Sequence, residues 1–107
     1  MNTRRNRSAT SKESLKARVE YWALKVRARP KSVRIQKMKR KWASCSTNKC
    51  LTFSESLLQE SAGFQDFVIV HELIHLKIPN HGKLFKSLLS AYLPGWKRWH
   101  KLLKGDE

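Results

Sequence analysis

The sequence predicts an α+β domain, and three observations along its 107 residues carry the prediction. Apolar residues recur at helical intervals between residues 11 and 28, and two short runs at 33–36 and 51–53 have the alternation or bounded length of strands. From residue 64 onward helical periodicity returns in three blocks separated by prolines. At 40% hydrophobic content the chain supports one core and leaves no material for a second domain.

The elements follow in order. Residues 1–10 mix Arg, Asn, Ser and Thr with almost nothing apolar, so they are expected to form a flexible basic arm ahead of a folded domain at 11–107. Thr10 and Glu13 have capping-box spacing, and Leu15, Val19, Trp22, Ala23 and Val26 continue at helical intervals, which predicts a helix over Ser11 to Ala28 closed by Pro30. Val33 and Ile35 alternate with Arg34 and Gln36 as a strand with one buried face, and "LTF" at 51–53 reads as a second. Between them "WASCSTNKC" reads as a turn-rich loop with Asn48 as a turn residue, so the two strands are expected to pair as a long-looped hairpin. A helix packed on that hairpin is required, because two strands alone are unstable.

A short helical piece is expected from Ser54 to Glu60, after which Gly63 breaks the pattern. In "FQDFVIVHELIHLKI" the residues Phe64, Phe67, Val68, Val70, Leu73, Ile74 and Ile78 leave few exposed positions, which predicts the central buried helix, ended by Pro79. Leu84, Phe85, Leu88, Leu89 and Tyr92 form one stripe of a further helix, and after Pro94 and Gly95 a last one carries Trp96, Trp99 and Leu103.

The net charge is +15, and its placement is uneven: residues 1–41 hold 15 of the 23 Lys and Arg with only Glu13 and Glu20 as acids, a net +13, against +2 for the rest. Such a front is either a solvated, solubilising face or a surface for polyanions, nucleic acid among them. There is no apolar run long enough to span a bilayer and no secretion signal, so a soluble cytoplasmic protein is expected, with peptide, nucleic-acid or self-association partners and no membrane. Cys45 and Cys50, with four residues between them, do not make a disulfide framework and are expected to be reduced thiols.

The chemistry concentrates in "HELIHLKIPNH" at 71–81. His71 and His75 are one helical turn apart, about 40° from alignment, so both imidazoles leave the same face. Glu72 is turned by about 100°, too far to be an obvious third ligand but placed to hold a water. Past Pro79 and Asn80 the chain can reverse and bring His81 to the same point. Three neutral imidazoles leave one tetrahedral position open, the pattern of a catalytic rather than a structural zinc. A single histidine there would be an ordinary core residue, and H-E-x-x-H also arises by chance in unrelated helices; the third histidine narrows the choice. Zinc would bring the pKa of its water to about 7, with Glu72 as the base that takes the proton and returns it to a leaving amine. Tyr92 or His100 can be a second oxyanion donor, or simply packing and surface residues.

In this order, "VRIQKMKRKWASCSTNKCLTFSESLL" followed by "DFVIVHELIHLKIPNHGKLF" resembles the YgjP-like metallopeptidases, relatives of the SprT-like zincins. The resemblance covers about residues 33–93 and rests on two separated motifs. It implies a zincin-like metallopeptidase fold in a minimal single-domain form, zinc ligands at His71, His75 and His81, Glu72 as catalytic base, and Trp42, Ser44 and Cys45 in a loop that braces the active-site helix. Ala43, Gly82 and Lys86 depart from that family's usual glycine, serine and aromatic residue. The metzincins share the histidine spacing, but Ile78 replaces their glycine and no methionine follows Met38. Two other readings stay open: a nucleic-acid-binding module with a closed zinc on Cys45, Cys50, His71 and His75, and a zinc hydrolase of a phosphoanhydride or other small molecule.

Overall fold

The computed structural model describes residues 10–103. The arm expected at 1–10 therefore lies, except for Thr10, outside the described residues, as do residues 104–107.

Helix α1 spans Lys12–Val26 and buries Leu15, Val19 and Val26. Its N-cap is Ser11, whose side chain accepts from the Ser14 N–H at 3.0 Å. The sequence pointed one residue earlier, to Thr10, but that hydroxyl is engaged across the molecule by the buried Gln65, whose Nε2 donates to Thr10 Oγ1 at 3.0 Å. Arg27, in the left-handed conformation with φ 62°, ends the helix ahead of Pro30.

The strands are β1 (Ser32–Gln36), β2 (Ala43–Cys45) and β3 (Cys50–Ser54), in the spatial order β1-β3-β2. This corrects the expected hairpin. β1 and β3 pair in parallel, Val33 opposite Leu51 and Ile35 opposite Phe53. The antiparallel partner of β3 is β2, Ala43 opposite Phe53 and Cys45 opposite Leu51, within the stretch read as loop. The connection through residues 37–42 carries the chain to the far side of β3, and a tight turn, with Lys49 at φ 65°, then returns it through the middle of the sheet. Asn48 lies in that turn, as its residue type suggested. Three residues are too few to show a strand period in sequence, which is why β2 was hidden.

Pleating gives the sheet two faces. Leu51, Phe53 and Ile35 are buried on the side that meets the helices, and Val33, Ala43 and Cys45 share that side by register. A 3₁₀ turn over Glu55–Gln59, capped by Ser54, leads to α2 (Ala62–His75), with Ser61 as its N-cap. Helix α2 buries nine of its fourteen residues, including Phe64, Phe67, Ile69 and Ile74. Each large side chain withdrawn from water in this way contributes about 1.5–3 kcal/mol.

A polar network fixes α1 against α2. Arg18 donates to Gln65 Oε1, to the Ala62 carbonyl at 2.9 Å and to Asp66 Oδ1, and the Trp22 indole N–H reaches the same Asp66 oxygen at 3.0 Å. Gln65 Nε2 also donates to the Leu57 carbonyl at 2.9 Å, so this fully buried amide has partners on three segments.

Helix α3 (Lys83–Tyr92) packs Phe85 and Leu89 into the core, while Leu84, expected on the buried stripe, is 60% exposed. A short α4 (Lys97–His100) and a 3₁₀ turn to Leu103 close the description, with Trp96 buried and its indole donating to Ser90 Oγ at 2.8 Å. No helix among the described residues is long and apolar enough to cross a membrane.

Gly63 does not break the pattern but sits inside the first turn of α2. A Cβ there would meet Trp99 Cζ2 at 2.6 Å, so the glycine lets the indole close over the helix. In an ordinary helix, Gly→Ala stabilises by roughly 1 kcal/mol. Here Gly63→Ala is expected to destabilise by about 1–3 kcal/mol. Urea unfolding checks the sign, and adding Trp99→Leu should recover part of the loss.

Candidate metal centre

The site grows from the C-terminal half of α2. His71 is buried at 4% exposure, pressed between the helix and Phe85, while His75, one turn on, is half-buried. After His75 the helix unwinds: the N–H groups of Lys77 and Ile78 both donate to the Ile74 carbonyl, and Pro79 has no N–H with which to continue. The chain turns through Asn80 and presents His81 from the exposed loop before α3.

The three rings converge. Their centroids are 4.8 Å apart for His71 and His75, 5.2 Å for His71 and His81, and 4.4 Å for His75 and His81. One ring nitrogen from each lies within 4.8 Å of the other two. This is the arrangement the sequence spacing pointed to. Three nitrogen donors gathered this closely, from one rigid helix and one adjustable loop, suit a borderline transition-metal ion better than calcium or magnesium, which take oxygen. Phe85 lies against all three rings at 5.2, 4.8 and 4.8 Å and limits how they can turn. The sequence placed Phe85 only on a packing stripe; its contact with three histidines depends on the α2–α3 crossing, which local spacing does not encode.

Glu72 follows His71 and faces a different sector of the helix. Its side chain is 12% exposed, and Oε2 lies 3.4 Å from His71 Nδ1. A cleft of about 500 Å³ runs past Glu72, His75 and His81 on one side and Ala43 to Thr47 on the other. β2 is thus a strand rather than a loop, and it both walls the cleft and packs on α2, with Trp42 edge-on to Phe64 at 5.0 Å. Lys41 and Lys49 also line this cleft, a contribution the sequence reading missed because it depends on β2 being a strand.

The other candidates separate. His100 shares a small pocket with His71, His81 and Phe85, its ring edge-on to Phe67 at 6.4 Å. Tyr92 packs against the core and lines neither pocket. Cys45 and Cys50 are not bridged, and sheet alternation puts Cys45 on the helix side and Cys50 on the opposite face. Among the described residues the one group of three or more metal-binding side chains is His71, His75 and His81, so the Cys45, Cys50, His71, His75 set of the closed-zinc alternative does not assemble.

The family model of the YgjP-like metallopeptidase domain matches residues 3–106. The chain belongs to this family. Its backbone is similar to the metallopeptidase zymogen jannalysin of Methanocaldococcus jannaschii, with a TM-score of 0.67 and 30% identity over 73% of this chain and 80% of that one. The metallopeptidase zymogen abylysin of Pyrococcus abyssi shares the fold, also with a TM-score of 0.67, at 22% identity over 76% and 81% of the two chains. None of the curated proteins matches. This YgjP-like chain is therefore a metallopeptidase domain of zincin-like fold.

Of the two thiols of the YgjP-like domain, Cys45 lines the cleft and Cys50 does not. Burial pushes the Cys45 thiol up from its ordinary range, and the nearby Glu72 carboxylate adds to the rise. The Cys50 thiol is lowered, first by a hydrogen bond from Ser32. A raised pKa means less thiolate at neutral pH, so iodoacetamide at about pH 7.5 should label Cys50 before Cys45, read by peptide mass spectrometry. Glu72→Gln removes the negative charge and should speed labelling of Cys45 while leaving Cys50 as it was.

Proposed function

We propose that this YgjP-like chain is a zinc-dependent peptidase in which His71, His75 and His81 hold the ion and Glu72 acts as general base and then general acid. The observation that carries the reading is the convergence of three imidazole nitrogens within 4.8 Å, beside the Glu72 carboxylate that lines the cleft. Zinc, when bound, supplies a Lewis acid and a water acidified to about pKa 7.

Glu72 lines the same cleft as the imidazoles, with Oε2 3.4 Å from His71 Nδ1, and from there it accepts the proton of the attacking water while the three histidines serve as the ligands. As the water oxygen bonds to the peptide carbon, that proton stays on the Glu72 carboxyl. When the carbon–nitrogen bond breaks, Glu72 delivers it to the departing amine. The low exposure of Glu72 favours this shuttle over exchange with bulk water.

The substrate is an extended segment of protein or peptide. In the antiparallel ladder the Ser54 N–H donates to the Trp42 carbonyl at 2.9 Å and the Ser46 N–H to the Cys50 carbonyl at 3.0 Å. Alternation then turns the N–H and C=O of Ala43 and Cys45 away from β3, toward the cleft side of the sheet. Such an edge suits strand addition, in which main-chain hydrogen bonds align a peptide and its side chains alternate between faces.

Glu72→Gln is expected to lower peptide hydrolysis by about 10²–10⁴-fold while the protein keeps stoichiometric zinc by metal analysis. His75→Ala is expected to lose both. In the X-ray absorption spectrum of the zinc-loaded chain, the reading requires a shell of nitrogen and oxygen near about 2.0 Å, and a sulfur shell near about 2.3 Å would overturn it.

A further inference from the structure

The positive charge in the cleft lining comes from the two flanks of β2. Glu72 is the acid in that lining, and Lys41 and Lys49 are the lysines. Lys41 lies two residues before β2, and Lys49 closes the turn after it, so the pair brackets the edge strand. Upstream of Lys41, the exposed Lys37, Lys39 and Arg40 extend the positive charge at that end.

The backbone of Lys49 is fixed by the turn. Its N–H donates to the Ser46 carbonyl at 2.9 Å, and its own carbonyl accepts from the Lys31 N–H at 2.7 Å. Ser46 Oγ accepts from the N–H groups of Asn48 at 3.3 Å and Cys50 at 3.2 Å, which fixes the turn from inside. The residue at this position has φ 65°, where glycine or asparagine sits with less strain than a long side chain. The turn itself therefore does not call for lysine. The ammonium also acts on the cleft wall: it opposes part of the rise in the Cys45 pKa.

A peptide paired with β2 between residues 41 and 46 extends over roughly 17 Å at strand spacing. Its two ends then come alongside Lys49 and Lys41. Docking also removes water from between the charges, so each pair is stronger than on an open surface.

We propose that Lys41 and Lys49 are specificity-determining residues, which select peptide segments carrying Asp or Glu near the two ends of the stretch bound along β2. The proposal rests on the peptidase reading for its substrate class, and it goes further in naming the charge of that substrate and the residues that read it.

Two pools of fluorescein-labelled octapeptides, identical except for Asp in one and Asn in the other at the same two outer positions, provide the test. Binding is read by fluorescence anisotropy on the full-length, zinc-loaded Glu72→Gln protein, which separates recognition from turnover. The expected result is a preference for the Asp pool of roughly 3- to 10-fold, shrinking between about 20 mM and 500 mM salt. Adding Lys41→Gln and Lys49→Asn should bring the ratio close to one; asparagine tolerates the left-handed turn, and thermal unfolding by circular dichroism confirms the fold. If that variant does not fold, Lys41→Glu alone, at an exposed position ahead of the strand, should still lower the ratio.

Equal binding of the two pools, no binding of either, or an Asp preference that survives loss of both lysines would overturn the proposal. Hydrolysis of the same pools by the zinc-loaded protein with Glu72 intact is scored separately. Lysine-dependent binding of the Asp pool without cleavage would sink the peptidase reading and leave the charge selection standing.

Discussion

The rest of the structure depends on the burial of α2. An ordinary surface helix offers one stripe to the core, but α2 is covered by α1, by α3 and by the sheet, with Phe64, Phe67, Val68, Ile69, Val70, Leu73 and Ile74 all withdrawn from water. In the C-terminal half of the helix, what remains open is the sector holding Glu72 and His75, and that sector meets the cleft. Because one residue of rotation is about 100°, any slip of the helix about its axis would turn the imidazoles into the sheet. The Arg18, Gln65 and Asp66 network sets that rotation from the N-terminal half of the helix. Core packing and site geometry are thus the same constraint expressed at two ends of one helix.

Rigidity is unequal among the three histidines. His71 and His75 inherit the precision of α2, whereas His81 comes from an exposed loop and gains definition by lying against Phe85, itself 1% exposed. A site with two fixed donors and one adjustable donor can close on an ion without straining the helix. Gly82, the residue after His81, has nothing within 4 Å of where a Cβ would be, so the serine usual in the family would fit and offer a capping oxygen that glycine lacks at the start of α3.

Legibility in the sequence followed the range of the interactions. The pairing of His71 with His75 is a matter of helical spacing, and the delivery of His81 needs only a proline and a turn, so both could be read locally. Most of the buried residues on α1 and α2 were likewise visible in their period, but Gln65 and Ile69 were not, and Ile78 falls past the end of α2. The sheet pairing was not visible. That β1 lies parallel to β3 is decided by where residues 37–42 cross, and no periodicity in that basic run records the crossing. Gly63 looked like a breaker because its reason, the indole of Trp99, lies far along the chain. Thr10 and Ser11 are adjacent capping residues, serine the somewhat better one, and Gln65, a polar residue buried among apolar ones, also engages the Thr10 hydroxyl.

The strand order has the largest functional consequence of these hidden features. Had β1 and β3 formed the expected hairpin, residues 42–49 would be a loop and nothing beside the histidines would offer a row of main-chain donors and acceptors. With β3 in the centre, β2 becomes an edge, and an exposed edge invites pairing with any extended chain, including a second copy of the protein. Lysine beside an edge strand is a common defence against such pairing, since two copies would bring like charges together. Lys41 and Lys49 stand at the two ends of β2, where they repel another basic copy and remain open to an acidic segment. The charges that keep the edge from unwanted pairing are therefore the same ones that bias which chain can occupy it.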